Sequence, residues 1–239
     1  MDNQKIAVIT GANRGLGFEA ARQLARSGIH VILTARDRQA GADALRKLMQ
    51  EQLPVELRKL DVTASDDAQA LARYVRETHG HLDILINNAG ILPESAQDRG
   101  AKSADPLMVS PTTVMEILNT NTLGPIRLIQ ALAPLMPAGS RIVNVSTGMA
   151  ALHNMSGGHL GYRVSKTALN AVTRVFAAEL STRGISVNCV DPGWVKTDMG
   201  GKGATRSIEQ GVETIVWLAI AAKAAETGHF WRDKRQVAW

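Results

Sequence analysis

Tyr162 stands four residues ahead of Lys166 in the stretch GYRVSKTALN, in a chain with only 2 tyrosines. A free phenol has a pKa of about 10, so at neutral pH it is a poor donor to an alkoxide and a poor base unless something stabilises its phenolate. Four residues along a helix bring the lysine ammonium onto the phenol's face, where its fixed positive charge favours the ionised form. Such a pair can move a proton to or from a substrate oxygen. On an ordinary surface helix the same spacing would be an aromatic residue beside a lysine and nothing more.

A second group of residues suits phosphate. TGANRGLG, residues 10–17, places Gly11, Gly15 and Gly17 where a strand turns into a helix. Glycine permits a tight turn and lets a pyrophosphate approach exposed N–H groups at the positive end of the helix. The bland alternative is a tight strand-to-helix connection, and the G-x3-G-x-G spacing differs from the general dinucleotide pattern. In ILTARDR, Ala35 occupies the place where an NAD site has an acid, and Arg36 follows it, so a 2′-phosphate is the better partner. Arg14 could close on the same phosphate from the other side. A solvated loop is the alternative for Arg36, and Asp37 reads as a helix N-cap. Asp61 in KLDVT could accept from an adenine amino group, and Asn87 and Asn88 in INNAG end a further strand.

These residues need a frame. Apolar runs at KIAVIT, HVILTA, VELRKL, LDILIN, RIVNVS and ISVNCV alternate with helical spacing near 15–27, 38–51, 66–79, 112–133, 160–182 and 206–223. Several runs are nearly continuous in apolar residues, as in parallel strands covered on both faces, which predicts an α/β chain with a doubly wound parallel sheet. Ligands of such sheets bind beyond the carboxyl ends of the strands, where the glycines, Arg36, Asp61 and the asparagines all fall. With 239 residues and 45% apolar content, one domain over 1–239 is expected. The stretches 91–111 and 197–207 read as excursions over the sheet edge. Lys and Arg number 27 against 22 acids, a net charge of +5, but they are scattered singly, so no nucleic-acid or membrane partner is expected.

The single cysteine, Cys189, reads as a small buried hydrophobe in a reducing compartment. No apolar run approaches the ~18 residues that span a bilayer, and a cytoplasmic protein is expected. His153, His159 and Trp194 lack metal-ligand spacing and read as pocket lining or surface, with no metal expected. Trp231 and Trp239 read as packing on the sheet edge or on a neighbouring subunit.

TGANRGLG, NNAG, YRVSK and DPGWVKT, in this order and spacing, resemble the short-chain dehydrogenase/reductase family over nearly the whole chain. LTARDR and the ending TGHFWRDK are similar to its NADPH-dependent carbonyl reductase branch. The resemblance implies a Rossmann-like sheet of about seven strands, NADP(H) as cofactor, and hydride transfer between the nicotinamide and a small carbonyl or alcohol substrate, with reduction of ketones or aldehydes expected. It implies catalysis by Asn121, a serine-type hydroxyl, Tyr162 and Lys166. Tyr162 would donate a proton as hydride arrives, while Lys166 would also hold the nicotinamide ribose. Asn121, in NTNTLG, would interrupt a helix to hold a water that links the lysine to solvent; Asn119 is its rival.

The cofactor contacts implied are Gly11, Asn13, Arg14, Gly15, Leu16 and Gly17, then Arg36, Asp61 and Val62, then Asn88, Ala89 and Gly90, together with Tyr162 and Lys166. Pro192 and Gly193 would shape the wall beside the nicotinamide, and Val195 and Thr197 would bond its carboxamide. The glycines of DMGGKGATRS suit a lid over substrate. Two alternatives stand beside the reductase: a non-catalytic NADP(H) sensor, expected to lack Tyr162 or Lys166, and an epimerase or dehydratase, expected to carry a larger C-terminal domain. Relatives pair through helices around 112–133 and 160–182 as homodimers or homotetramers, while the carbonyl reductase branch includes monomers.

One position departs from the family pattern. Strand five ends NVST where the family has two serines, which puts Ser146 first and Thr147 second, 15 residues before Tyr162. Thr147 is expected to take the serine's role, since its hydroxyl is an equivalent donor and acceptor. Ser146 is the competitor, and successive strand side chains point to opposite faces, so a regular strand presents only one of them.

Overall fold

The computed structural model describes residues 4–93, 105–223 and 226–239. The six apolar runs form β1 (Ile6–Ile9), β2 (His30–Ala35), β3 (Val55–Lys59), β4 (Ile84–Asn87), β5 (Arg141–Val145) and β6 (Ser186–Val190). β7 (Phe230–Arg232) continues the parallel sheet, and β8 (Arg235–Val237) pairs antiparallel with β7. The order is β3-β2-β1-β4-β5-β6-β7-β8, one strand more than the expected seven. Between β1 and β4 the direction of winding reverses, and a crevice opens there at the carboxyl ends.

The strands are flanked by α1 (Gly15–Arg26), α2 (Arg38–Gln50), α3 (Ser65–Thr78), α4 (Pro111–Leu118), α5 (Gly124–Leu132), α6 (Leu160–Ser181) and α7 (Ile208–Ile220). Alternate strand residues feed two cores. Ala7 and Ile9 pack with Leu24, Leu48 and Leu218 on one face, and Ile6 and Val8 with Leu71, Val75, Leu128 and Leu180 on the other. Each fully buried leucine contributes roughly 1.5–3 kcal/mol. The predicted N-cap is present: Asp37 accepts from the Ala40 N–H at 2.9 Å. Ser207 and Gln210 close a reciprocal capping box at the start of α7.

The helix expected over 112–133 is interrupted. Between α4 and α5 the segment Asn119–Leu123 is a π turn, in which the Gly124 N–H reaches the Asn119 carbonyl. Pro125 explains the widening, because it has no N–H to give to the residue 121 carbonyl. A Cβ on Gly124 would meet Val62 at 3.0 Å, so the break also lets the helix lie close against the segment after β3.

At the C-terminal end, Trp231 is buried, donates from Nε1 to Asn188 Oδ1 at 3.1 Å and meets Trp217 edge-on at 5.0 Å. Trp239 stacks on Phe230 at 5.5 Å. Both tryptophans therefore pack on the sheet edge within the chain. The β7–β8 turn uses Asp233 and Lys234 at φ 51° and 59°, left-handed positions filled here without glycine. No helix among the described residues is long and apolar enough to cross a membrane. Of the excursion expected over 91–111, residues 94–104 lie outside the described residues.

Candidate active site

The glycine loop is built as its residue types require. Gly11 and Gly15 hold φ of 61° and 58°, and a Cβ on Gly11 would meet Ala89 Cα at 3.1 Å. Gly17 has no room at all: its Cβ would lie 2.4 Å from Asn88 Nδ2 and 2.7 Å from the Gly11 carbonyl. Asn88 accounts for that closeness, because its Nδ2 donates to the carbonyls of Thr10 at 2.9 Å and Gly11 at 3.1 Å. Thr10 Oγ1 in turn accepts from the N–H groups of Asn88 and Ala89. The loop and the end of β4 are thus stitched into one rigid wall. No side chain caps α1, which leaves its first-turn N–H groups for an anion.

A cleft of about 1080 Å³ follows this wall across the carboxyl ends of the strands. Asn13, Arg14 and Leu16 line it beside the glycines, Arg36, Asp61 and Val62 line its far end, and Ala89 and Gly90 its floor. Ser146, Thr147, Tyr162 and Lys166 form the opposite end with Pro192, Gly193, Val195 and Thr197. Of the expected residues, Gly17 and Asn121 stand behind the cleft instead of lining it.

The far end carries one charge of each sign, Arg36 and Asp61. Burial raises the Asp61 carboxyl, but hydrogen bonds from Thr63 and the positive charge of Arg36 outweigh it and hold the group below its usual value. Both Thr63 bonds fall on Asp61 Oδ1, at 2.9 and 2.7 Å. Arg14 is engaged with Asp198 at 2.5 Å, both side chains being largely exposed. Asn87, by contrast, donates to Asn144 Oδ1 at 2.8 Å inside the sheet and does not reach the cleft.

At the other end two hydroxyls and an ammonium converge. Tyr162 is buried, and burial pushes its phenol up to about 12; the charge of Asp191 adds to the rise, and a hydrogen bond with Thr147 opposes it. Lys166 Nζ donates to the Val145 carbonyl at 2.7 Å, and burial pulls its ammonium down to about 8. The expected lowering of the phenol by Lys166 is absent from this arrangement. The ammonium is turned to the end of β5, and desolvation dominates the phenol.

The neighbouring hydroxyls separate as the strand pleat requires. Ser146 borders the cleft, but its Oγ donates away from it to Asn170 Oδ1 at 2.7 Å. Thr147 faces Tyr162 and also accepts from the Met149 N–H at 3.3 Å. Cys189 lies in the same buried network as Asn170, and burial pushes its thiol up to about 12, which keeps it protonated.

Asn121 sits in the π turn, fully buried, with Nδ2 donating to the Ile91 carbonyl and to Ser165 Oγ, each at 3.0 Å. Its Oδ1 accepts from the Ile91 N–H at 2.8 Å, and a Cβ on Gly90 would meet both that oxygen, at 3.3 Å, and Lys166 Nζ, at 3.4 Å. Asn121 therefore braces the segment after β4 beside the lysine. Asn119, the rival, instead accepts from Arg127 Nη2 at 2.8 Å. The segment expected as a lid is tied down at its root: Trp194 Nε1 donates to the Gly200 carbonyl at 2.8 Å, and the Arg206 N–H to the Trp194 carbonyl at 3.0 Å.

Sequence reasoning missed Asp191. It is buried, accepts from the Gly193 N–H at 2.9 Å and pairs with Arg232 at 3.3 Å. Its position at the head of DPGWVKT was the available signal. Thr10 was missed for a different reason: a threonine before a glycine carries no signal until the neighbouring strand is in place.

A sequence model of the short chain dehydrogenase family matches residues 5–207. The carbonyl reductase [NADPH] 1 of Oryctolagus cuniculus is 34% identical over 99% of this chain and 99% of its own. The short-chain dehydrogenase/reductase 1 of Saponaria officinalis is 33% identical over 95% of this chain and 94% of its own. Among solved structures, NADPH-bound carbonyl reductase from chicken fatty liver superposes with a TM-score of 0.87 at 28% identity, covering 99% of both chains.

Proposed function

Because the chain belongs to the short-chain dehydrogenase/reductase family, we propose that it is an NADPH-dependent reductase of small ketones or aldehydes in which Tyr162 gives the proton. The observation that carries this reading is that Thr147, buried Tyr162 and buried Lys166 line the same cleft as the glycine loop. The left-handed glycines and the uncapped start of α1 fit a pyrophosphate, and Arg36 fits a 2′-phosphate. Bound NADPH would supply the hydride.

The chain's own residues do the rest. A phenol held protonated by burial suits reduction, in which its proton passes to the oxygen that hydride arrival leaves negative. Thr147 stands beside the phenol and offers a second donor to the same oxygen. Lys166 keeps positive charge beneath the site, and Asn121 holds the backbone at Gly90 and Ile91 against it. Assay of ketones, aldehydes and quinones with NADPH and NADH tests the reading; no turnover of any carbonyl would overturn it. The panel must be broad, because the rabbit alignment runs over 284 positions against 239 residues here, so that relative carries insertions that this chain lacks.

Two further outcomes are expected. Arg36→Asp replaces a charge-assisted pair of about 1.5–3 kcal/mol by repulsion, so the ratio of kcat/KM for NADPH over NADH should fall by at least ten- to a hundredfold. Equal use of both cofactors by the unsubstituted enzyme would remove the role of Arg36. The pH profile follows from Lys166, whose ammonium discharges near 8 and not near the usual 10.5. The depressed value means that its charge is present below about 8 and lost above it, so kcat/KM for reduction should be level at lower pH and fall on the alkaline side. Lys166→Arg should carry that limb out of range; a wild-type profile flat well beyond it would show that the lysine charge is not used.

A further inference from the structure

At the amino ends of the strands, across the sheet from the cleft, side chains converge from three elements. His30 opens β2, Glu56 is the second residue of β3, and His79 follows the last turn of α3. α3 runs back along the sheet as a crossover, which returns its final residues to this edge. Glu56 Oε1 lies 2.8 Å from His79 Nε2 and 3.3 Å from His30 Nε2, and the three ligand atoms fall within 4.8 Å of one another. The two imidazoles are 5.0 Å apart between centroids. Tyr74 Oη donates to the other oxygen, Oε2, at 2.5 Å, which fixes the carboxylate with Oε1 towards the imidazoles.

We propose that His30, Glu56 and His79 form a binding site for one divalent ion of the zinc class, remote from the active site, that clasps β2, β3 and α3 together. Two imidazole nitrogens and one carboxylate oxygen are a borderline donor set, suited to zinc, cobalt, nickel or copper and not to magnesium or calcium, which take oxygen. Ligands about 2.0–2.2 Å from zinc in a tetrahedron stand roughly 3.3–3.6 Å apart, against 2.8 and 3.3 Å from Oε1 to the two nitrogens and at most 4.8 Å within the set, so an ion would be taken up with local adjustment of the three side chains. The three side chains are 13–23% exposed, so the cluster lies close to the surface. Tyr74 supplies the outer hydrogen bond that orients a ligating carboxylate.

The bland reading is that two imidazoles simply solvate Glu56. It accounts fully for His79, which hydrogen-bonds Oε1, and less well for His30, whose buried Nε2 stands 3.3 Å from the same oxygen without the geometry of a hydrogen bond. The sequence does not announce this set, because positions 30, 56 and 79 share no ligand spacing and meet only through the sheet register that puts Ile32 beside Glu56. The absence of metal expected from the sequence is revised by this proposal.

The test uses the tag-free full chain after chelator treatment. Titration calorimetry with Zn2+ should saturate at one ion per chain, Co2+ should give the strong visible bands of a four-coordinate site, and Zn2+ should raise the unfolding temperature. His30→Gln and Glu56→Gln should each weaken Zn2+ binding by about tenfold to a hundredfold, and Tyr74→Phe, which keeps all three ligands, by less. Circular dichroism checks that the variants fold, and the Co2+ spectrum of the wild type reports the ligands without any variant. No Zn2+ binding up to about millimolar, a six-coordinate Co2+ spectrum, or equal binding by the folded glutamine variants would overturn the proposal.

Discussion

Tyr162→Phe is expected to lower carbonyl turnover by about 10²- to 10⁴-fold, the range for losing a positioned proton donor, while NADPH binding is little changed. The phenyl ring keeps the volume of a side chain that is only 7% exposed, so the cleft does not collapse. What disappears is the hydroxyl, which stands beside Thr147. Any loss of stability would register in thermal unfolding, separately from turnover. Single-turnover kinetics paired with NADPH titration by fluorescence separates the two effects. Substantial residual reduction by a folded, NADPH-binding mutant would remove Tyr162 from the chemistry.

Thr147→Val should be the next most damaging change, with kcat reduced by about tenfold to a thousandfold as for one lost, well-placed donor. Valine keeps the branched shape and removes only the hydroxyl that faces Tyr162 and receives the Met149 N–H. Ser146→Ala makes the contrast. Its Oγ is spent on Asn170, so its loss should appear as roughly 1 kcal/mol of stability with turnover near the wild-type level. Measuring kcat and unfolding temperature for both variants decides the matter. The opposite ranking, with Ser146→Ala inactive and Thr147→Val unimpaired, would assign the serine role to Ser146.

Most of the frame was legible because it rests on local signals. Nearly continuous apolar runs announced six strands, and glycines at 11, 15 and 17 announced a turn that the structure holds with two left-handed residues and one crowded one. What escaped was set by contacts between distant segments. β7 and β8 are three residues each, too short for a period to register, and their turn uses Asp233 and Lys234 in place of glycine or asparagine. Lys166 was placed correctly on the phenol's helix, yet the direction of its Nζ depends on a carbonyl at the end of β5, which spacing along α6 cannot specify. Asp191 acts on Tyr162 from the end of β6 for the same reason.

A π turn adds one residue to a helix, and one residue is about 100° of rotation. α5 is therefore out of phase with α4, and a 3.6-residue apolar pattern carried straight through Asn119–Leu123 goes wrong by one position beyond it. Removing a single residue would bring the two halves back into step, although Pro125 would still withhold one N–H from the helix. It would also swing the Asn121 carboxamide off Ile91 and Ser165, or else pull Ile117 out of the core. The brace beside Lys166 is thus encoded as a frame, in one codon more or less, whereas the glycine loop depends on three separate residues. A lineage could gain or lose the brace in one event, and related sequences would record it as a one-residue gap in the middle of a helix.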